Sequence, residues 1–120
     1  MKPYSRSDRV GGLIQQVLAE LLLKEISDPR LVHATITGVK VSRDLRIAKI
    51  YFATGGKEGA AEAAKEGFNR ARGFVKRELA QRLGLRYMPD LKFFYDEAID
   101  RGARMEQLIK MVKENDKSDH

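Results

Sequence analysis

Apolar residues recur at three- and four-residue spacing along the first part of the chain. Val10, Leu13, Ile14, Val17, Leu18, Leu21 and Leu22 form one broad stripe, which predicts an amphipathic helix over 7–26. Ser5 or Ser7 can cap its start, and Asp28-Pro29 stops it soon after Ile26. Gly11-Gly12 weakens the first turns and predicts fraying there. The period then shortens. Residues 34–42 (ATITGVKVS) are β-branched and read as a strand whose inward phase slips at Gly38, where a bulge or bend restores the alternation. Arg43-Asp44-Leu45 is a turn. Residues 46–54 (RIAKIYFAT) form a second strand, with Ala48, Ile50 and Phe52 on one face and Ile47, Lys49 and Tyr51 on the other. The short link makes the two strands an antiparallel hairpin.

Gly55-Gly56 ends that strand, and an Ala-rich helical run begins near Glu58. Ala60, Ala64, Phe68, Ala71, Val75, Leu79 and Leu83 keep one side of it apolar, while Gly73 interrupts it midway. Gly84 closes the run, Pro89 follows, and residues 91–96 (LKFFYD) read as a third strand. A last helix over 97–113 puts Ile99, Met105, Leu108, Ile109 and Val112 on one side. The expected order is α-β-β-α-(kink)-α-β-α: an α+β domain over 1–113, one three-stranded sheet with helices on a single face. Residues 114–120 read as a polar, disordered tail.

At 120 residues the chain fits one domain and can bury about two-thirds of its unfolded surface. It has no cysteine and two histidines, which excludes disulfides and Cys-ligated zinc or iron–sulfur sites and leaves little for His-based metal binding. No cofactor or metal is expected. No apolar run approaches a membrane span, and the start of the chain carries no hydrophobic signal region, so the expected setting is the cytoplasm, away from membranes. The net charge of +6 is unevenly spread: +8 over residues 1–86 and −2 over 87–120. Between 65 and 86, seven cations (Lys65, Arg70, Arg72, Lys76, Arg77, Arg82 and Arg86) face only Glu66 and Glu78. A charge-rich helix is ordinarily a solvated face. This bias is one-signed and Arg-rich, which favours a polyanion, nucleic acid first.

The stretch β-α-α-β with a tight break between its helices is the core order of a KH nucleic-acid-binding module, and an αβ pair before it makes the type II variant. KH modules clamp the nucleic-acid backbone with a GXXG loop at the helix–helix junction. Gly56-Lys57-Glu58-Gly59 has that spelling but precedes the first paired helix, and reads as a strand-to-helix turn. The junction itself, residues 69–74 (NRARGF), keeps one glycine. That permits a kink but no open loop of backbone amides.

These residues resemble the ribosome-binding factor A family of bacterial small-subunit assembly factors, in which an Ala-x-Gly kink replaces the GXXG loop. Ala71-Arg72-Gly73 matches the kink. Other matching stretches are Arg9-Val10, Asp28-Pro29-Arg30, residues 39–45 (VKVSRDL), residues 79–86 (LAQRLGLR), residues 89–93 (PDLKF), residues 102–105 (GARM) and Leu108-Ile109. The ordered combination spans 6–113. The resemblance implies a type II KH-like fold and binding to the immature small ribosomal subunit and its rRNA. It also implies support for processing of the 5′ end of that rRNA, and release assisted in some bacteria by a ribosome-dependent GTPase. The expected state is a monomer.

The candidate RNA-binding residues are Arg70, Ala71, Arg72, Gly73, Lys76 and Arg77 at the kink, and Arg43, Arg46 and Lys49 around the hairpin. Arginine can bond phosphate bidentately, and each phosphate contact releases counterions. For the hairpin group, together with Lys40, a solvated sheet edge guarded by lysine explains the charge equally well. Tyr51, Phe93, Phe94 and Tyr95 suit base stacking, but alternation sends Phe93 and Tyr95 to one face of the sheet and Phe94 to the other, so at least two belong to the core. Tyr4 fits either role. No catalysis is expected. Asp96, Glu97 and Asp100 sit where carboxylates cap a helix, and His33 has no nucleophile or ligand set around it. The alternatives are a generic KH-like RNA-binding domain or translation regulator, and a protein-interaction module using the acidic last helix.

Overall fold

The computed structural model describes residues 5–118; Tyr4 and the last two residues of the expected tail lie outside them. Helix α1 (Arg6–Lys24) begins at a capping box in which the Ser5 hydroxyl accepts from the Asp8 amide at 3.2 Å and the Asp8 carboxylate accepts from the Ser5 amide at 3.3 Å. Two orphan donors are thereby satisfied. Fraying at Gly11-Gly12 is overruled, because Gly11 is buried against the first strand. A Cβ there would lie 3.0 Å from the Val39 carbonyl oxygen, so the missing side chain is what lets the helix approach the sheet. Asp28 ends the connection by capping a 3₁₀ turn (Pro29–Leu31), accepting from the Arg30 amide at 2.9 Å and pairing with the Arg30 guanidinium at 2.7 Å.

Strands β1 (Thr35–Val41) and β2 (Ile47–Ala53) pair antiparallel, and β3 (Asp90–Tyr95) joins β2 in parallel. The sheet order is β1-β2-β3, with β2 in the centre. The expected bulge is present: the register shifts between Ile36 and Gly38, setting Ile36 opposite Phe52 and Val39 opposite Ile50. Both inward residues are thus kept on one face. Parallel pairing requires a crossover, which α2 (Ala60–Leu83) supplies.

The expected pair of helices is one. α2 runs unbroken through Gly73 for 24 residues and ends at Gly84, which takes the left-handed conformation at φ 62°. A helix-interior glycine costs only about 1 kcal/mol relative to alanine. Burial of Phe68, Val75 and Leu79 on either side of Gly73 outweighs that cost.

α1 and α2 cover one face of the sheet. Ile14, Leu18 and Leu21 meet Ile50, Phe52, Phe68, Val75, Leu79, Leu91 and Phe93 in a single core. Phe68 of α2 stacks on Phe93 with ring centres 4.8 Å apart and lies 5.0 Å from Phe52. Helix α3 (Glu97–Ser118) departs from the expected layering. Among its described residues only Asp100 is buried, and Ile99, Met105, Leu108, Ile109 and Val112 are each more than half exposed. Their shared side therefore does not cover the core, and the helix extends past Lys113, where it was expected to end.

Asp100 fastens α3 to the sheet. Its carboxylate accepts from the amides of Thr54 at 3.0 Å and Gly55 at 2.9 Å and from the Tyr95 hydroxyl. Burial pushes this carboxyl up, but the Tyr95 hydroxyl and the amides of Thr54, Gly55 and Gly56 more than reverse that and hold it below its ordinary value of 3.8. The same bond raises the Tyr95 phenol. The turn that Asp100 grips contains Gly55, Gly56 and Gly59, all at positive φ, so Gly56–Gly59 is the strand-to-helix turn expected of it.

Two outcomes follow from this packing. Gly11→Ala is expected to lower stability in urea denaturation by about 1–3 kcal/mol, since the clash is with backbone that cannot rotate away. Asp100→Asn is expected to cost about 1–3 kcal/mol at neutral pH through lost charge-assisted bonds. Because the folded-state pKa is depressed, the wild-type advantage is present above the unfolded value near 4 and fades as pH falls through the lower folded value. Denaturation at pH 7 and pH 3 would compare the two proteins.

Candidate nucleic-acid interface

The buried stripe of α2, which includes Ala64, Phe68, Val75 and Leu79, determines what the far side displays. At about 3.6 residues per turn, Gly73 falls on the crest opposite that stripe. Arg70 and Arg77 flank it on one side and Lys76 on the other, while Arg72, about 100° around the helix, borders the buried stripe beside Phe93. Gly73 is exposed, whereas Ala71 packs against the core. The Ala-x-Gly triplet therefore has one residue inside and two outside.

Some cations of this region are held by carboxylates. Arg82 reaches Glu20 of α1 at 3.4 Å, Glu25 at its C-cap at 3.1 Å and Glu78 at 3.7 Å, fastening α2 to α1. Lys76 pairs with Asp90 at the start of β3 at 3.5 Å. Arg30 is taken by Asp28 and, at 3.4 Å, by Glu66. Arg70, Arg72 and Arg77 make no ion pair among the described residues. Arg72 donates to Asn69 Oδ1 at 2.6 Å, and its guanidinium sits 5.9 Å from the centre of the Phe93 ring. Arg77 lies along the crest, its Nη1 3.7 Å from the position a Gly73 Cβ would occupy. Arg70 adds a small share to the lowering of the Asp28 pKa, after the larger effects of Arg30.

The hairpin cations divide. Arg43 and Arg46 lie in the turn, where the Ser42 hydroxyl accepts from the amides of Arg46 at 3.2 Å and Ile47 at 3.0 Å. Leu45 takes φ 60° there. The Ser42 hydroxyl and then the Arg46 amide hold the Asp44 carboxyl below its usual range. Asp44 faces Arg46 across 3.9 Å with both side chains well exposed, a pairing worth little. Arg43 makes no ion pair among the described residues.

Asp90 joins the two basic groups. Its amide donates to the Arg46 carbonyl at 2.7 Å, and its carboxylate takes Lys76 of α2. An open cleft of about 720 Å³ lies at this corner, lined by Arg6, Arg46 and Arg86 along with Asp44, Tyr87 and Asp90. Arg6 and Arg86 were not among the sequence candidates. Gly84, by ending α2, turns Arg86 toward the hairpin, and an arginine just past a helix stop was the available signal.

Lys49 is separate from both groups. It belongs to the central strand and projects from the face that α1 and α2 do not cover, with Tyr51 two residues on. Phe93 is buried, Tyr95 is partly buried, and Phe94 is on the other face, as alternation required. Among the carboxylates at the last helix, Asp96 accepts from the Ile99 amide and from the Thr37 hydroxyl, and Glu97 pairs with Arg101. These are capping and anchoring roles.

A three-stranded mixed sheet backed by helices, with unpaired arginines around an exposed glycine, defines a KH-like α+β domain of the type II order. Residues 6–109 match the family described as ribosome-binding factor A. The ribosome-binding factor A of Desulfatibacillum aliphaticivorans is 51% identical over 112 residues, 93% of this chain and 91% of that one. The crystal structure of ribosome-binding factor A from Thermus thermophilus superposes with a TM-score of 0.66 at 27% identity, over 74% of this chain and 93% of that one. A homology model of the Thermus thermophilus factor, fitted into a cryo-EM map of its 30S complex, gives a TM-score of 0.58 at 30% identity over 72% of this chain and 91% of that one. The chain belongs to the ribosome-binding factor A family.

The unbroken geometry at Gly73 is directly testable. A Cβ there meets only Arg77, at van der Waals distance, so Gly73→Ala should raise stability by about 0.5–1 kcal/mol. Thermal melts would read it. A lowered melting temperature would mean that the helix departs from α geometry at the crest.

Proposed function

We propose that this protein binds immature small ribosomal subunits through the crest of α2 and aids their late maturation without catalysing a reaction. The observation that carries this reading is a set of three arginines, Arg70 and Arg77 beside exposed Gly73 and Arg72 at the edge of the buried stripe, that make no ion pair among the described residues. A guanidinium without an ion pair gives up little internal bonding when it takes a phosphate, Arg72 giving up a neutral bond to Asn69, and it can do so bidentately. Gly73 keeps the crest low, so that a nucleic-acid backbone can approach between the flanking cations. Lys76, Arg43 and Arg46 extend the positive surface toward the corner at Asp90.

Several features support the ribosomal identity of the polyanion. One is family membership; another is the likeness to the Thermus thermophilus factor fitted in its 30S complex. No helix among the described residues is long and apolar enough to cross a membrane. On this reading the protein works in the cytoplasm as a monomer, its binding biases folding of the rRNA near the 5′ end that awaits processing, and a ribosome-dependent GTPase promotes its departure. A general KH-like regulator of translation would bind mature and immature subunits alike.

Cosedimentation with immature and mature small subunits separates these readings, with preference for the immature particle expected. Replacing Arg70, Arg72 and Arg77 together by alanine should weaken that binding. It should also flatten the slope of log affinity against log salt by about 2–3, close to one unit per lost phosphate contact. Unchanged affinity and slope would remove the crest from the interface.

A further inference from the structure

The face of the sheet turned away from α1 and α2 carries a pattern that the crest does not explain. Register places Lys40, Lys49 and Lys92 in one row across β1, β2 and β3, and Gly38, Tyr51 and Phe94 in the next. All three lysines are exposed, and none makes an ion pair among the described residues. The Tyr51 and Phe94 rings stack with centres 5.7 Å apart and planes at 29°, and Phe94 is 38% exposed. On the β1 side of the pair, Gly38 presents no side chain, and the space where its Cβ would lie is open.

This pattern has a cost within the isolated chain. Like charges directly opposite one another on a sheet repel, and a half-buried ring beside an exposed one forgoes part of its burial. Protection of sheet edges accounts for Lys40 and Lys92, but Lys49 is on the central strand, which has no edge to protect. A row of cations beside a pair of flat apolar rings is the chemistry that binds single-stranded nucleic acid. Phosphates relieve the repulsion while unpaired bases stack on the rings, and every base has a π-face to offer. A duplex, with its bases already stacked on each other, can satisfy only the lysines.

We infer that the uncovered sheet face is a second RNA-binding surface, specific for single strands, with Tyr51 and Phe94 as the stacking platform and Lys40, Lys49 and Lys92 as the phosphate contacts. It deepens the proposed RNA-binding role by assigning a substrate class, unpaired RNA, to a surface separate from the α2 crest.

The test uses the full chain and two fluorescein-labelled probes: a short unstructured oligoribonucleotide and an RNA duplex of equal length. The variant Tyr51→Leu/Phe94→Leu keeps apolar bulk on the sheet, and circular dichroism checks its fold. Anisotropy should show that the variant loses about tenfold in affinity for the single strand, with duplex affinity unchanged. The chain has no tryptophan, so tyrosine emission can be followed directly with the unlabelled oligonucleotide. Binding should quench it in the wild type, and Tyr51→Leu should lose most of that quenching. Wild-type affinity of the double variant for the single strand overturns the inference, as does equal loss on both probes. So does a result in which anionic phospholipid vesicles, and not RNA, bind in a manner sensitive to these two residues. Failure of the crest reading shows elsewhere, as unaltered subunit cosedimentation of the triple arginine variant, so the two failures are distinguishable.

Discussion

The stack of Phe68 on Phe93 sets the rotation of α2, and the outward chemistry of the domain depends on that rotation. Phe68 is fully buried between Phe93 and Phe52, which belong to the two strands joined in parallel by the α2 crossover. Removing such a ring from a core typically costs about 3–5 kcal/mol. Turning α2 by one residue would draw Phe68, Val75 and Leu79 out of register together and push cations toward the sheet. Burying an unpaired charge is costlier still. The position of Arg70, Gly73 and Arg77 on the outer surface is therefore a consequence of the core, fixed before any ligand is met.

Within that frame the cations fall into two groups. Arg82, Arg30 and Lys76 each find carboxylates on a neighbouring element, and such partly exposed pairs contribute modestly to stability. Their larger effect is to remove positive charge from some parts of the surface and leave it concentrated at others. The net +5 read between residues 65 and 86 overstates the free charge on α2 and understates its focus. Without an ion pair among the described residues are Arg70 and Arg77 beside Gly73 and Arg72 next to Phe93, and the corner at Asp90 connects them to Arg46, Arg6 and Arg86.

Much of this was legible in the sequence because it depends on period. The three- and four-residue recurrence of Ile14, Leu18 and Leu21, the alternation of Ala48, Ile50 and Phe52, and the phase slip at Gly38 all report which side of an element meets the core. The residues that misled are those whose role depends on what lies opposite. Gly11 reads as a weak point in a helix, yet it permits contact with Val39. Gly73 reads as a break, yet its propensity cost is smaller than the packing on both sides of it. The side of α3 that carries Ile99, Met105, Leu108, Ile109 and Val112 has a core-facing period, but the anchoring carboxylate of Asp100 directs the helix elsewhere. That contact spans 46 residues, from Thr54 to Asp100, a distance at which local pattern carries no signal. Arg86 was counted in the basic run but not among the candidate contacts for a similar reason, since its neighbours are set by a loop.

The same one-sided burial that positions the crest also frees the opposite face of the sheet. Three strands backed by α1 and α2 satisfy one surface only, and what the other surface bears is unconstrained by packing. Solvation alone would accept mixed charges there, with opposite signs paired across strands. The chain instead places lysine at all three positions of one row and stacks two aromatic rings beside it. The acidic surplus after residue 86 is not carried by α3, in which five carboxylates are matched by five cations between Glu97 and Ser118. Electrostatic influence fades over about 8 Å in physiological salt, and the carboxylates that bracket β3, Asp90 and Asp96, are engaged by Lys76 and by the Thr37 hydroxyl. Among the described residues the lysine row therefore has no ion-pair partner of its own, and balancing it falls to a ligand.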